Sequence, residues 1–276
     1  MIRLSAFADE ISPDLDEQIA VLQSEHIRFL DLRGAWGTNV LDFSDAQVDQ
    51  IRRTLHGHGM AVSALASPIG KVPIDSPFDE HFRRFERAIT LAQAFSTPYI
   101  RIFSFYPPAS AKNDPAEWRD EVLSRLREMT ARARAEGITL LHENEKDIYG
   151  DTIARCVDLL QSVNDPHFQA ILDPANFIQC GQIAYPEGYE AMRPWLRYVH
   201  VKDARSDGGV VAAGEGMARW PDLLQRLRED AYDGFFSLEP HLAAGGQFSG
   251  FSGPDLFRHA SRALQGMLNK MGWEAS

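Results

Sequence analysis

The stretch "ITLLHENEKDIYGD", residues 138–151, decides how the chain is read. An apolar run, Ile138 to Leu141, leads directly into His142, Glu143, Asn144, Glu145, Lys146 and Asp147. A solvated loop after a strand has this composition. So does a strand that delivers side chains to a pocket. Recurrence separates the two readings. Short apolar, β-branched-rich runs occur at 3–8, 27–33, 61–66, 99–105, 138–143, 168–173, 198–203 and 235–240. Between them lie amphipathic segments at 14–25, 45–57, 79–95, 115–136, 151–162, 187–196, 220–230 and 254–271. Ser12 and Pro13 precede the first helix and Ser44 the second, which Gly57 or Gly59 can end in a left-handed cap. Pro115, Pro221 and Pro254 sit near helix starts, where a missing N–H costs little.

Eight strand–helix units in one chain of 276 residues are the arithmetic of a (β/α)8 TIM barrel, read as a single domain over 1–276. A doubly wound open sheet competes, but it usually announces itself by a glycine-rich first turn. Here that turn reads "ADEISPD".

Composition narrows the function. Hydrophobic residues make up 44% of the chain, enough for a sizeable core, and the net charge is −11. That acidity argues against nucleic acid and anionic membrane as partners. No run approaches the ~20 apolar residues of a membrane span, and the N-terminus has no long apolar signal region. The two cysteines, Cys156 and Cys180, form neither a disulfide framework nor a CxxC motif. The expectation is a cytoplasmic protein, with a homo-oligomer left open.

In a barrel of this kind, side chains at the C-terminal ends of the strands converge on one mouth. The fifth strand ends in Glu143, the sixth in Asp173, the seventh carries His200, and the eighth ends in Glu239. They are 30, 27 and 39 residues apart, each about one βα unit. Singly, each has a plainer reading: a solvated carboxylate, a turn former before Pro174, a buried histidine. Together, three oxygen donors and one nitrogen donor suit one divalent ion, Mn²⁺, Mg²⁺ or Co²⁺, with Zn²⁺ the outside candidate.

At this point the sequence resembles the xylose-isomerase-like barrel superfamily of sugar isomerases and epimerases. The resemblance runs from "ADEISPDLDEQI" through "LDLRGAWGTNVLDFSD" and "IRIFSFYPP", and is strongest in "LHENEKDIYGDT", "ILDPANF", "YVHVKDA", "GEGMARW" and "SLEPH". It implies metal ligation by Glu143, Asp173, His200 and Glu239, with Glu143 and Glu239 also moving protons. The implied reaction is removal of a proton α to a sugar carbonyl through a metal-stabilised enediolate. The substrate would be a small sugar or sugar phosphate. One departure stands out. Many ketose epimerases of the group carry a histidine three residues after the aspartate, whereas this chain has Asn176, which can bind a substrate oxygen but cannot shuttle a proton.

Alternation along a strand puts Lys202 on the face of His200, and places His241 near Glu239. Both are substrate-binding candidates. Arg205 joins them by the resemblance alone, and Trp36 and Trp220 are candidates to cap the pocket with an aromatic face. His142 and Asn144 fall on the other face from Glu143, as packing or orienting residues, while Glu145, Lys146 and Asp147 read as rim or solvent. "GEG" at 214–216 and the loop "AAGGQFSGFSGPD", with Phe248 and Phe251, are phosphate-binding candidates or simply a lid or subunit contact. His56 and His58 sit at a helix end leading away from the mouth. Competing functions on the same barrel are a lyase (keto-inositol dehydration or 3-keto-glycoside cleavage), an apurinic endonuclease and a non-catalytic sugar-binding protein. The net charge argues against the endonuclease.

Overall fold

The computed structural model describes residues 2–108, 114–243 and 250–275. Its eight barrel strands are β1 (Arg3–Ala6), β2 (Phe29–Leu32), β3 (Ala61–Leu65), β4 (Tyr99–Ile102), β5 (Thr139–Glu143), β6 (Phe168–Leu172), β7 (Leu196–Val201) and β8 (Phe235–Leu238). Seven lie within runs expected from sequence; β7 starts two residues before its expected run 198–203, at Leu196. All paired neighbours are parallel, in the order β1-β8-β7-β6-β5-β4-β3-β2. The remaining seam, β1 to β2, is drawn together by one parallel bridge, Phe7 to Asp31. The result is a nearly closed (β/α)8 barrel.

The long helices are α1 (Leu15–Ser24), α2 (Asp45–Gly57), α3 (Phe78–Ala94), α4 (Arg119–Ala135) and α5 (Ile153–Val163). After β6 come α6 (Pro174–Gln179) and α7 (Tyr189–Met192), then α8 (Trp220–Glu229) and α9 (Gly253–Lys270). Ser44 and Gln47 form a reciprocal capping box at α2, worth about 1 kcal/mol. The α1 cap is Asp14, whose carboxylate accepts from the Glu17 N–H, while Ser12 accepts from the Asp14 N–H. The segment expected as one helix at 187–196 yields only the four-residue α7, because Pro194 falls in a 3₁₀ turn at its end. The short α6 is not apparent from periodicity, yet Asp173 caps it and Pro174 occupies its first position. Among the described residues, no helix is long and apolar enough to cross a membrane.

The main core fills the space between strands and helices. A second, smaller cluster comprises Ala64, Leu141, Ile171, Tyr198 and Phe235. Three of these sit two residues before Glu143, Asp173 and His200. A strand's side-chain period is two, so packing Leu141, Ile171 and Tyr198 together lifts those three residues one level up, towards the mouth. Below Glu239, Ser237 occupies the corresponding place and hydrogen-bonds Asp31. Asp31 also accepts from Tyr198 Oη at 2.7 Å and Ser63 Oγ at 3.1 Å, and Ser63 Oγ meets Ser5 Oγ at 2.6 Å. The barrel's interior is therefore plugged by an apolar cluster and a hydrogen-bonded polar layer.

Candidate active site

Glu143, Asp173, His200 and Glu239 converge and are all buried. Each offers a ligand atom, and all of these lie within 4.8 Å of one another. Donors on opposite sides of a divalent ion, each at about 2.0–2.6 Å from it, would be about 4–5 Å apart. The tetrad could thus hold one such ion. Asp173 Oδ2 supports the fit. It is buried and accepts no hydrogen bond, although Lys202 Nζ lies 2.7 Å away. Asp173 Oδ1 is already used by the Asn176 N–H at 2.9 Å, so Oδ2 is the oxygen left for a cation.

Without an ion, the cluster balances its charge with side chains. His200 Nδ1 lies 3.0 Å from Glu143 Oε1 and 3.3 Å from Glu239 Oε2. Burial disfavours the imidazolium, but the two carboxylates outweigh it and lift the His200 pKa to about 10. Burial pushes the Glu143 carboxyl up, but His200 and then Arg101 overcome that, despite repulsion from Glu239, and bring it down to about 2. Asp173, where burial wins, rises to about 6. Lys202 is held well above its usual value: burial works against its charge, but Asp173 and Glu239 prevail. Its ammonium lies 3.2 Å from Glu239 Oε2.

Two buried arginines complete this balance, and sequence reasoning missed both. Arg101 Nη1 is 3.1 Å from Glu143 Oε2 and 3.5 Å from Glu239 Oε1. Arg33 Nη1 is 3.6 Å from Glu239 Oε1, while its Nε binds Asp9 Oδ2 at 2.7 Å. The available signals were an arginine inside the apolar run "YIRIFSF" and another at the end of "LDLRG". Glu10 was missed as well. Its Oε1 lies 3.0 Å from His241 Nε2, and its Oε2 accepts from the His241 N–H at 2.8 Å.

The supporting residues act through specific bonds. Asn176 Nδ2 donates to Glu143 Oε1 at 3.3 Å and to the Asn144 carbonyl at 2.9 Å. Asn144 orients its neighbour, as its strand face implies, by binding the backbone of Asp173. His142 packs: it is fully buried, and its ring is tilted against Phe168. Trp220 does not cap the pocket. It is fully buried, and its indole N–H donates to the Lys202 carbonyl at 3.3 Å, fixing the backbone beneath that lysine.

Above the tetrad opens a cavity of about 520 Å³. Arg33, Arg101, Asn176, Lys202, Glu239 and His241 line its floor and walls. Lys71, Tyr106, Glu145, Lys146 and Asp147 also line it. Glu145 is thus a wall residue, paired with Lys71 at 2.9 Å. Arg205 stands apart: its side chain is 56% exposed and pairs with Asp207 on a small hairpin, Asp203–Ala204 with Val210–Val211, that turns it outward. Trp36 is not on the cavity wall either. It sits in the turn of another hairpin, Gly34–Ala35 with Thr38–Asn39, and packs on the main core. The "GEG" loop is not an open phosphate site, because Asp203 fills it. Its carboxylate accepts from the N–H groups of Gly214, Gly216 and Ala218 at 3.0 Å each. Phe248 lies outside the described residues; Phe251 is partly buried and does not line the cavity. His56 borders a separate depression with Asp49 and Phe95, and His58 caps α2.

The model of the family described as "Xylose isomerase-like TIM barrel" matches residues 27–266. A search of curated proteins finds no match. Among solved structures, a D-tagatose 3-epimerase-like protein superposes with a TM-score of 0.79 at 15% identity, covering 98% of each chain. The probable 3-DHS dehydratase AsbF of Bacillus anthracis gives 0.75 at 17% identity, over 96% of this chain and 99% of that one. The 3-keto-D-glucoside 4-epimerase YcjR of E. coli gives 0.72 at 14% identity, over 98% of this chain and 100% of that one. At these identities the likeness is one of fold, whereas the family model spans most of the sequence. The chain belongs to the xylose isomerase-like TIM barrel family.

Proposed function

We propose that this protein is a divalent-metal-dependent isomerase or epimerase of a small keto sugar, acting by proton transfer at the carbon beside the carbonyl. The buried Glu143–Asp173–His200–Glu239 tetrad at the mouth of the barrel carries this reading. Its oxygen-rich donor set favours Mn²⁺, Mg²⁺ or Co²⁺ over Zn²⁺. A bound ion would supply Lewis acidity towards the carbonyl oxygen, lowering the cost of removing the neighbouring proton.

The chain's own residues do the rest. Glu143 and Glu239 flank His200 Nδ1 and share Arg101, so two carboxylates address one small volume. One takes the proton and the other returns it, to the opposite face in an epimerase or to the neighbouring carbon in an isomerase. Asn176 steadies Glu143 through its amide donor. Lys202, at the floor, presents fixed positive charge to the oxygen that becomes negative. Asp203 already occupies the 214–216 glycine loop, so that loop does not hold a substrate phosphate.

The test combines metal analysis with solvent deuterium exchange into keto sugars. Wild type should retain about one ion per chain and exchange the α-proton. The Glu143→Gln protein should lose exchange, and His200→Ala should lose metal. Unchanged metal content in both variants would remove the site. Exchange accompanied by loss of a hydroxyl would identify a lyase instead.

A further inference from the structure

Glu143 and Glu239 each divide their two carboxylate oxygens between different partners. Glu143 Oε1 and Glu239 Oε2 are the nearer to His200 Nδ1, at 3.0 and 3.3 Å. The other oxygen of each, Glu143 Oε2 and Glu239 Oε1, is the nearer to Arg101 Nη1, at 3.1 and 3.5 Å. A carboxylate that ligates an ion through one oxygen keeps the second for a proton. One nitrogen of Arg101 thus meets both oxygens left for proton transfer.

Two features set Arg101 apart from a residue that only balances charge. The first is its reach. It belongs to β4, which stands opposite β8 in the barrel order. It pairs in register with Leu141, one level below Glu143, so its side chain rises along the wall and crosses the mouth to reach Glu239. The second is how it is held. Its Cζ lies 4.9 Å from the ring centroids of both Phe7 and Phe103, which are fully buried, and its Nη2 donates to the Ala66 carbonyl at 3.3 Å. Its Nε is buried and has no acceptor. Packing therefore fixes the fork with one donor unpaired, where Nη1 faces both glutamates. The side chain is also part of the cavity wall above the tetrad.

We infer that Arg101 is the positioning residue of the proton transfer, its guanidinium holding Glu143 Oε2 and Glu239 Oε1 at a fixed spacing about the reacting carbon. The inference rests on the proposed keto-sugar chemistry of the tetrad. In it, the carbon–hydrogen bond breaks towards one carboxylate and its electron pair passes to the carbonyl oxygen. The pair returns as the new carbon–hydrogen bond, made with a proton from the other carboxylate, and proton exchange with water resets both. Nη1 carries two N–H bonds. It stays with whichever carboxylate is ionised, so neither oxygen swings away as its charge changes.

The test is Arg101→Lys, which keeps the charge and gives up the fork. Solvent deuterium exchange is followed with D-fructose, D-tagatose and 3-keto methyl glucoside, and the fastest of these serves for the variants. Arg101→Lys should still bind about one Mn²⁺ per chain. Its kcat for exchange should fall about 100-fold, with KM within about threefold of wild type. Millimolar guanidinium ion should restore part of the exchange to Arg101→Ala, and ammonium ion should not. Full exchange by Arg101→Lys, loss of Mn²⁺ from it, a defect confined to KM, or a folded Arg101→Ala that guanidinium fails to rescue would each overturn the role. If Arg101→Ala does not fold, Arg101→Lys decides alone. Absence of exchange in wild type removes the proposed chemistry and this role with it, whereas wild-type exchange that survives in Arg101→Lys removes the role alone.

Discussion

Asn144 and Asp173 are joined by a reciprocal pair of hydrogen bonds. The Asn144 amide donates to the Asp173 carbonyl at 2.9 Å, and the Asp173 N–H donates to Asn144 Oδ1 at 2.9 Å. One side chain thereby continues the β5–β6 pairing past the last backbone rung and sets the direction of the Asp173 carboxylate. Asn144→Ala leaves the buried Asp173 N–H unpaired and its carbonyl with only the Phe177 N–H at 3.4 Å, which should destabilise the protein by about 1–3 kcal/mol. Metal affinity should fall about 10- to 100-fold, as expected when a ligand loses its outer support. Urea unfolding and metal titration measure the two effects. A variant with wild-type metal affinity would show that Asp173 needs no such support.

Metal uptake should depend steeply on pH. His200 must lose its proton to become a ligand, and its carboxylate neighbours hold that proton to about pH 10 in the metal-free protein. Affinity should therefore rise about tenfold per pH unit between roughly pH 7 and 9. Below about pH 6, Asp173 also carries a proton that binding must displace, because burial has raised its pKa to about 6. The slope then steepens towards two protons per ion. Calorimetry in buffers of differing ionisation enthalpy counts the protons directly, and release of none would contradict the arrangement.

His81 should make the fold acid-sensitive. It is 6% exposed and accepts from the Gly70 N–H through Nε2 at 3.1 Å. Burial, and then Arg125, lower its pKa to about 4. The unfolded chain therefore binds more protons between pH 6.5 and 4. Stability from this group is complete above pH 6.5 and is lost as pH falls towards 4, about 3 kcal/mol in all. His142, lowered to about 4 by burial, acts in the same direction. His81→Gln should flatten about half of the loss in urea midpoints between pH 7 and 5. An unchanged slope would mean that His81 is protonated in the fold.

Asp203 should be replaceable by an external anion. Besides the three N–H groups of the glycine loop, it accepts from its neighbour Ala204 N–H at 2.8 Å. Asp203→Ala should cost about 3–4 kcal/mol and open a nest of backbone donors. Millimolar inorganic phosphate should then raise the thermal midpoint of the variant but not of wild type. A phosphate response in wild type would mean that the loop is already open.

The eight strands and the tetrad were legible for one reason. Parallel strands buried on both faces read as apolar runs, and a polar residue ending such a run marks the mouth. Lys202 followed from parity with His200. Arg33 and Arg101 did not, because an arginine in or beside a strand says nothing of its direction until register places it against Glu143 and Glu239. Arg205 and Trp36 depended on two-residue hairpins that have no periodicity to read. The six-residue α6 was hidden likewise, although its cap was in plain view at Asp173 and Pro174.

The seam between β1 and β2, like the β3–β4 junction paired only at Leu65 and Ile100, has no run of backbone rungs. It is fastened from within, by Asp31 receiving hydroxyl protons from Ser63, Tyr198 and Ser237 on three other strands. Phe7, at the single bridge, stands edge-on to the His200 ring with centroids 5.1 Å apart. One of the barrel's two thinly stitched joints therefore lies against the imidazole of the tetrad. A loosened Asp31 would be felt first not as unfolding but as a wandering His200, so fidelity of the chemistry and closure of the cylinder depend on the same buried carboxyl.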